Sequence, residues 1–263
     1  MNVWRTIAPL GAMVLALAAA FAIAGAAAPP PGAKSGYEYL SKDTQALQDD
    51  DFENPGMLWV SEGETLWSTP MGPKSQSCAS CHQDAAAAMK GVATRYPAYA
   101  PELGKVINME QRINYELATR LGAKPLDYES EQLLAFTAYI YRQSKGMPQN
   151  VSIDGPAAAD FERGKAFFYQ RRGQLDLACS NCHEQHAGDH LRGESISQGQ
   201  VNGMPIYRAL WQTMGSVDRM FAWCNEAVRA EPYPAGSQEY VDLELFERWR
   251  GTGLLIETPG VRR

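Results

Sequence analysis

Basic charge is in short supply in this chain: 24 Lys and Arg stand against 30 Asp and Glu, a formal net charge of −6 over 263 residues. That balance argues against nucleic acid or an anionic membrane surface as partner and leaves small redox or protein partners. Strand signals are sparse, which argues against an architecture built mainly of sheets. Histidine is scarcer still, with four residues in all. Cysteine is both few and odd in number, so the five thiols cannot be consumed in pairs by a disulfide framework.

Four of those cysteines fall in two copies of one motif. Cys78-Ala79-Ser80-Cys81-His82 and Cys179-Ser180-Asn181-Cys182-His183 each place two thiols one helical turn apart with an imidazole directly behind. That spacing lets a haem form two thioether bonds and take an axial histidine. Two covalently bound haem c groups are therefore expected, attached through Cys78, Cys81, Cys179 and Cys182, with His82 and His183 as iron ligands. A single zinc site made of all four thiolates is the alternative. It needs neither histidine, and the pairs lie about a hundred residues apart, far beyond the spacing of a zinc ribbon. His186 and His190, the two spare histidines, sit so close to His183 that reaching the other haem face would need a sharp return, so a loop or packing role is expected for both.

The remaining cysteine is Cys224, in Arg219-Met220-Phe221-Ala222-Trp223-Cys224-Asn225. With the other four consumed by thioether bonds it has no partner in its own chain. It is a ligand, a reactive thiol, an intermolecular bridge or a small buried hydrophobe. Arg219 and Arg229 flank it and Arg208 lies upstream. Around a thiolate such arginines form an anion site, because guanidinium matches oxyanions with paired hydrogen bonds.

The N-terminal residues 1–28 carry one early positive charge at Arg5, an apolar centre and an alanine-rich end, the pattern of a cleaved signal peptide; an uncleaved anchor is the alternative, because the apolar run from Ile7 to Ala28 is nearly long enough to span a bilayer. Export to the periplasm suits haem c, and no membrane partner is expected after cleavage. Residues 29–55, rich in proline, glycine and acidic groups, read as an extended arm in which Gln48-Asp49-Asp50-Asp51 buries nothing. An internal repeat follows: Gly63, Trp67, Cys78, Cys81 and His82 recur as Gly164, Phe168, Cys179, Cys182 and His183, all shifted by 101 residues. The glycine lets a first helix cross a last one closely while the aromatic fills space. Each copy closes with an amphipathic helix, Glu131 to Lys145 before Gly146 and Glu239 to Arg250 before Gly251. The fold expected is all-α, two class I-like cytochrome c domains in tandem over 56–149 and 150–263, joined by a linker marked by Pro148, Asn150 and Pro156. Domains of this size have thin cores unless haem supplies part of the apolar interior.

From Gly203 onward the chain resembles SoxA, the larger subunit of the SoxAX cytochromes of bacterial sulfur oxidation. The likeness is carried by Asn202-Gly203-Met204-Pro205-Ile206-Tyr207-Arg208, Phe221-Ala222-Trp223-Cys224-Asn225, Arg229-Ala230-Glu231-Pro232-Tyr233, Arg250-Gly251 and the ending Gly253 to Arg262, with Ile107 to Asn114 in the first half. The resemblance implies an L-cysteine S-thiosulfotransferase that joins thiosulfate oxidatively to a cysteine of the carrier SoxYZ. It also implies a monohaem SoxX partner, with electrons passing to a soluble cytochrome c. Cys224 then matches the active cysteine, a haem ligand that occurs also as a persulfide, and Arg229, Arg219 and Arg208 become the candidates for holding thiosulfate.

Two positions depart from the family pattern. An arginine is expected four residues before the active cysteine, where this chain has Met220. In dihaem members a second cysteine ligates the first haem; here it would fall near Glu116, leaving Met109 and Met89 as alternative sixth ligands. The competing reading is a dihaem electron-transfer cytochrome without substrate chemistry, in which Cys224 is a structural ligand. The Met220 departure favours it and the extent of the carboxyl-terminal pattern opposes it. Nothing marks the open, peroxide-activating pocket of a dihaem peroxidase.

Overall fold

The computed structural model describes Met1 and residues 29–263, so the expected signal peptide lies, apart from Met1, outside the described residues. The segment expected to be an extended arm is folded. A 3-10 turn covers Gly36–Tyr39 and helix α1 covers Lys42–Asp49, its N-terminus capped by the Ser41 side chain, which accepts from Thr44 N. Helical periodicity turns Gln48 inward while Asp49, Asp50 and Asp51 stay in solvent. The Gln48 Oε1 accepts from Val261 N and from Arg262 Nη1, each at 2.9 Å, so one residue of the supposedly unburied acidic run is in fact interior.

In the first half follow α2 (Met57–Ser68), α3 (Cys78–His82), the short α4 (Ala85–Ala88), α5 (Met109–Glu116) and α6 (Glu131–Arg142). Strands β1 (Ala98–Ala100) and β2 (Lys105–Ile107) form an antiparallel hairpin with Ala98 opposite Ile107. The second half holds α7 (Ala158–Tyr169), α8 (Cys179–His183), α9 (Val217–Ala227) and α10 (Gln238–Arg250). Its strands are the hairpin β3 (His190–Leu191) and β4 (Glu194–Ser195), and a small sheet. In that sheet β5 (Ile206–Arg208) lies between antiparallel β6 (Thr213–Gly215) and parallel β7 (Gly260–Arg262). Helices carry the fold, but these short strands are more than the sparse sequence signals suggested, because each is only two or three residues long and too short to show a period.

The repeat glycines sit at helix crossings. A Cβ added to Gly63 of α2 would lie 2.2 Å from the Ala135 carbonyl oxygen of α6, and one on Gly164 of α7 would lie 1.9 Å from the Asp242 oxygen of α10. No larger side chain fits backbones this close. Trp67 and Phe168, four residues on, are buried beside them. Around the first crossing pack Leu66, Ile113, Leu133, Phe136 and Ile140; around the second, Phe161, Tyr240, Leu243 and Phe246. Both closing helices thus bury the faces read from their periodicity. The first ends at Arg142, short of Lys145, and turns through Gln143 and Ser144 before Gly146.

The two cores exchange residues: Val106 of β2 packs into the second and Ile256 into the first. The segment expected to be a linker is pinned by the C-terminal chain. Gly146 N donates to Ile256 O at 2.8 Å and Gln149 N to Leu254 O at 2.9 Å, while the buried Gln149 side chain donates to Arg248 O. Between the halves the Arg248 guanidinium of α10 donates to the Tyr141 hydroxyl of α6 and to Glu244. Among the described residues no helix is long and apolar enough to cross a membrane.

Candidate active site

The short helix α8 holds Cys179 and Cys182 three residues apart on one turn, closed by His183. The His183 Nδ1 lies 2.8 Å from the Ser197 carbonyl oxygen. A carbonyl can only accept, so Nδ1 carries the proton and Nε2 keeps the lone pair that a metal requires. Burial, the largest influence, pushes the imidazole pKa down and favours that neutral form. Gly199 makes room for the ring: its backbone is left-handed at φ +76°, and a Cβ there would stand 3.0 Å from the His183 Cγ.

Cys224 comes to this motif from α9. That helix starts at the Ser216 cap, whose Oγ accepts from Arg219 N at 3.2 Å. Two turns on, the Cys224 sulfur is close enough to Cys179 and to Cys182 for their charges to interact. The residue is half-buried. Burial pushes its thiol up to about 12, and Arg208 is the cation that pulls the other way. The free thiol is therefore held protonated at neutral pH unless a further positive charge arrives.

Arg208 reaches the thiol from β5. Its guanidinium is buried, stacked 4.2 Å from the Trp223 ring centroid and 5.3 Å from that of Trp211. Nε donates to the Arg263 carbonyl at 3.0 Å, Nη2 to Glu194 at 2.9 Å and Nη1 to the Met220 sulfur at 3.7 Å. Of the three arginines singled out by sequence, this is the one brought to Cys224. Arg219 lies over the other ring of the cluster, 4.5 Å from Trp211. Arg229 is exposed just past the end of α9 in left-handed backbone, its carbonyl accepting from Gln174 N.

Two further charged residues lie at the site without a sequence signal pointing to them. Glu247, whose carboxyl burial raises to about 8, acts on both Cys179 and Cys224. Arg250 covers the Phe168 ring at 4.3 Å and bonds Glu247, Glu184 and the Gln198 carbonyl. Both sit on α10, where Glu244, Glu247, Arg248 and Arg250 are all interior at the crossing with α7. His186, in the loop after α8, lies beside Asp189, and His190, at the start of β3, beside Ser195; both are exposed.

At the first motif, α3 is capped by a reciprocal pair of Ser77 and Ser80 bonds and brings His82 within 5.8 Å of the Trp67 ring. Glu116, at the end of α5, is close enough to raise the Cys78 thiol, although burial is the larger cause. Among the described residues no three His, Cys, Asp or Glu side chains gather as a metal site, so the four paired thiols do not assemble as zinc would require. Paired thiols on one turn, a tautomer-fixed imidazole and adjoining apolar cores instead fit covalently attached haem.

Residues 62–149 match the model of the SoxA/TsdA cytochrome c domain. Two relatives are the L-cysteine S-thiosulfotransferase subunits SoxA of Rhodovulum sulfidophilum and Paracoccus pantotrophus. The first is 42% identical over 229 residues, covering 87% of this chain and 80% of the relative. The second is 40% identical over 228 residues, covering 87% and 78%. The crystal structure of SoxXA from P. pantotrophus superposes with a TM-score of 0.86 at 38% identity, over 90% of this chain and 92% of that one. The chain belongs to the SoxA family of L-cysteine S-thiosulfotransferase subunits. A cytochrome c domain implies covalently bound haem c, and the Cys78 to His82 motif falls inside the matched span. Within a SoxA frame the Met220 departure acquires a neighbour: the guanidinium of Arg208 lies against the methionine sulfur, so positive charge reaches the thiol from β5 where position 220 of α9 carries none.

Proposed function

We propose that this SoxA chain couples thiosulfate oxidatively to a carrier cysteine at Cys224. The observation that carries the reading is the convergence of the Cys224 sulfur with the Cys179 and Cys182 pair and with the buried Arg208. In this reading the chain comprises two cytochrome c units over 56–149 and 150–263, preceded by a signal peptide that directs it to the periplasm. Haem would attach through Cys78 and Cys81 and through Cys179 and Cys182, with His82, His183 and Cys224 as the residues that would hold iron. The haem supplies an electron acceptor and a positive charge that favours the thiolate form of Cys224.

The chain's own residues do the rest. Arg208 has five N–H donors, and its three contacts leave others for a sulfonate oxygen. Trp223 and Trp211 hold that guanidinium in a fixed plane. Arg219, one ring away, adds positive charge that draws in a dianion. The outer sulfur of thiosulfate forms a bond to the Cys224 sulfur as two electrons leave, giving a protein-bound disulfide that ends in sulfonate. A carrier thiolate of SoxYZ then attacks the outer sulfur, and Cys224 departs as thiolate. The net change is loss of the carrier's thiol proton and two electrons, with one new sulfur-sulfur bond. The electrons pass by way of a monohaem SoxX partner to a soluble cytochrome c. Incubation of the assembled complex with thiosulfate, reduced carrier and oxidised cytochrome tests this: the carrier's mass should rise by one thiosulfate adduct as the cytochrome is reduced. Cytochrome reduction without adduct would oppose the reading.

A further inference from the structure

The two halves repeat more deeply than their haem motifs. Helix α5 opens on Asn108, whose side chain accepts from Gln111 N at 2.9 Å; α9 opens on Ser216, whose side chain accepts from Arg219 N at 3.2 Å. With cap laid on cap, a constant shift of 108 residues puts Glu110 on Asp218, Arg112 on Met220, Ile113 on Phe221, Tyr115 on Trp223 and Glu116 on Cys224. Buried, half-buried and exposed positions follow one another in the same order through 108–118 and 216–226. The halves diverge only afterwards, where α5 runs into a π turn over Leu117–Leu121. Gly72 and Gly173, equivalent in the motif repeat, lie against the carbonyls of Leu121 and Val228, which are only 107 residues apart. The extra residue is thus taken up by the π turn, beyond Glu116.

The surroundings repeat as well. In the second half Arg208 lies over Trp223 beside Cys224. In the first, Arg112 lies 5.4 Å from the Tyr115 ring centroid and its Nη1 stands 3.3 Å from Glu116, which Arg120 braces from the other oxygen at 3.4 Å. Each half therefore gathers a guanidinium and an aromatic ring around one side chain that lies near the first cysteine of its motif, Glu116 by Cys78 and Cys224 by Cys179.

We infer that Glu116 stands toward the first haem where Cys224 stands toward the second, so that the first iron takes a carboxylate oxygen and no sulfur as its sixth ligand. This rests on the dihaem reading of the two motifs. Met109 takes the register position of Val217 in the first turn, buried two turns from Glu116, and Met89 follows α4; neither shares the Cys224 position. An oxygen anion is a hard, weak-field donor that holds ferric iron better than ferrous. The first haem is accordingly high-spin when oxidised, and on reduction it releases the carboxylate and opens to small neutral diatomic ligands. The second stays low-spin and closed.

The test uses the mature, haem-loaded chain with its SoxX partner, probed by electron paramagnetic resonance and by carbon monoxide uptake after reduction. The expected result is a high-spin ferric signal beside a low-spin thiolate one, with uptake of carbon monoxide by one of this chain's haems. Glu116→Cys should convert the high-spin signal into a second low-spin thiolate species, and Glu116→Met should abolish the uptake. A first haem that is already low-spin, or one whose spectrum is unchanged in Glu116→Cys, overturns the assignment while leaving the dihaem reading intact. An intact mass that shows no haem at Cys78 and Cys81 overturns both.

Discussion

The Arg208 guanidinium donates to the Met220 sulfur at 3.7 Å while its charge acts on Cys224 one helical turn further along α9. A residue from a β-strand thereby supplies the cation at a helix position that itself carries none.

Arg208→Gln removes that charge and the donors offered to sulfonate. Charged hydrogen bonds contribute about 1.5–3 kcal/mol, so kcat/KM for thiosulfate should fall by roughly 10- to 100-fold. Glu194, which loses its partner, is partly solvated and tolerates the change. Arg208→Lys keeps charge but loses the planar fork and the stacking, and should fall between the two. Steady-state kinetics of the assembled complex at fixed carrier concentration provides the check.

Cys224→Ala should abolish formation of the carrier adduct while intact mass still shows both haems, because thioether attachment uses other cysteines. The low-spin thiolate resonance should vanish in the same protein. Retained turnover would remove Cys224 from the chemistry.

Gly164→Ala forces a methyl into the Asp242 carbonyl, and Gly63→Ala forces one into that of Ala135. Relief requires the crossing helices to separate, which costs on the order of 3 kcal/mol or more. Thermal unfolding followed by far-ultraviolet circular dichroism should show a large drop in midpoint for each, greater for Gly164, where the overlap is deeper.

Stability should decline from acid toward neutral pH through Asp218. Its carboxyl is buried beside Glu244 and Glu129, one oxygen accepting from Gly236 N and the other unpaired, and burial raises it from 3.8 to about 7. A carboxyl raised on folding contributes stability that is present in full below its unfolded value and lost as the pH climbs through about 7. Asp218→Asn keeps an acceptor for Gly236 and carries no charge. Denaturant titrations between pH 4 and pH 8 should show a flatter profile for the variant, and at pH 8 a gain on the order of a few kcal/mol.

Much of the molecule was legible beforehand. The haem motifs, the repeat that joins Gly63 to Gly164 and the closing helices are local patterns, in which residue type and spacing carry the chemistry directly. The N-terminal arm carries no such local pattern: a run of acids surrounds Gln48, whose burial depends on β7 arriving from the far end of the chain. The segment between the halves is ordered for the same reason: Gly146 and Gln149 are pinned by residues more than a hundred positions away.

Spacing and count along the chain are enough to divide five thiols into two Cys-x-x-Cys-His pairs and a remainder, since that division is covalent and local. Tertiary structure alone decided which of three arginines meets the remaining thiol, that the charges of α10 are interior, and that Glu116 occupies the register of Cys224. Those are relations between segments far apart in the chain. They follow from helix caps, crossings and strand pairing, which fix distances that no local pattern encodes.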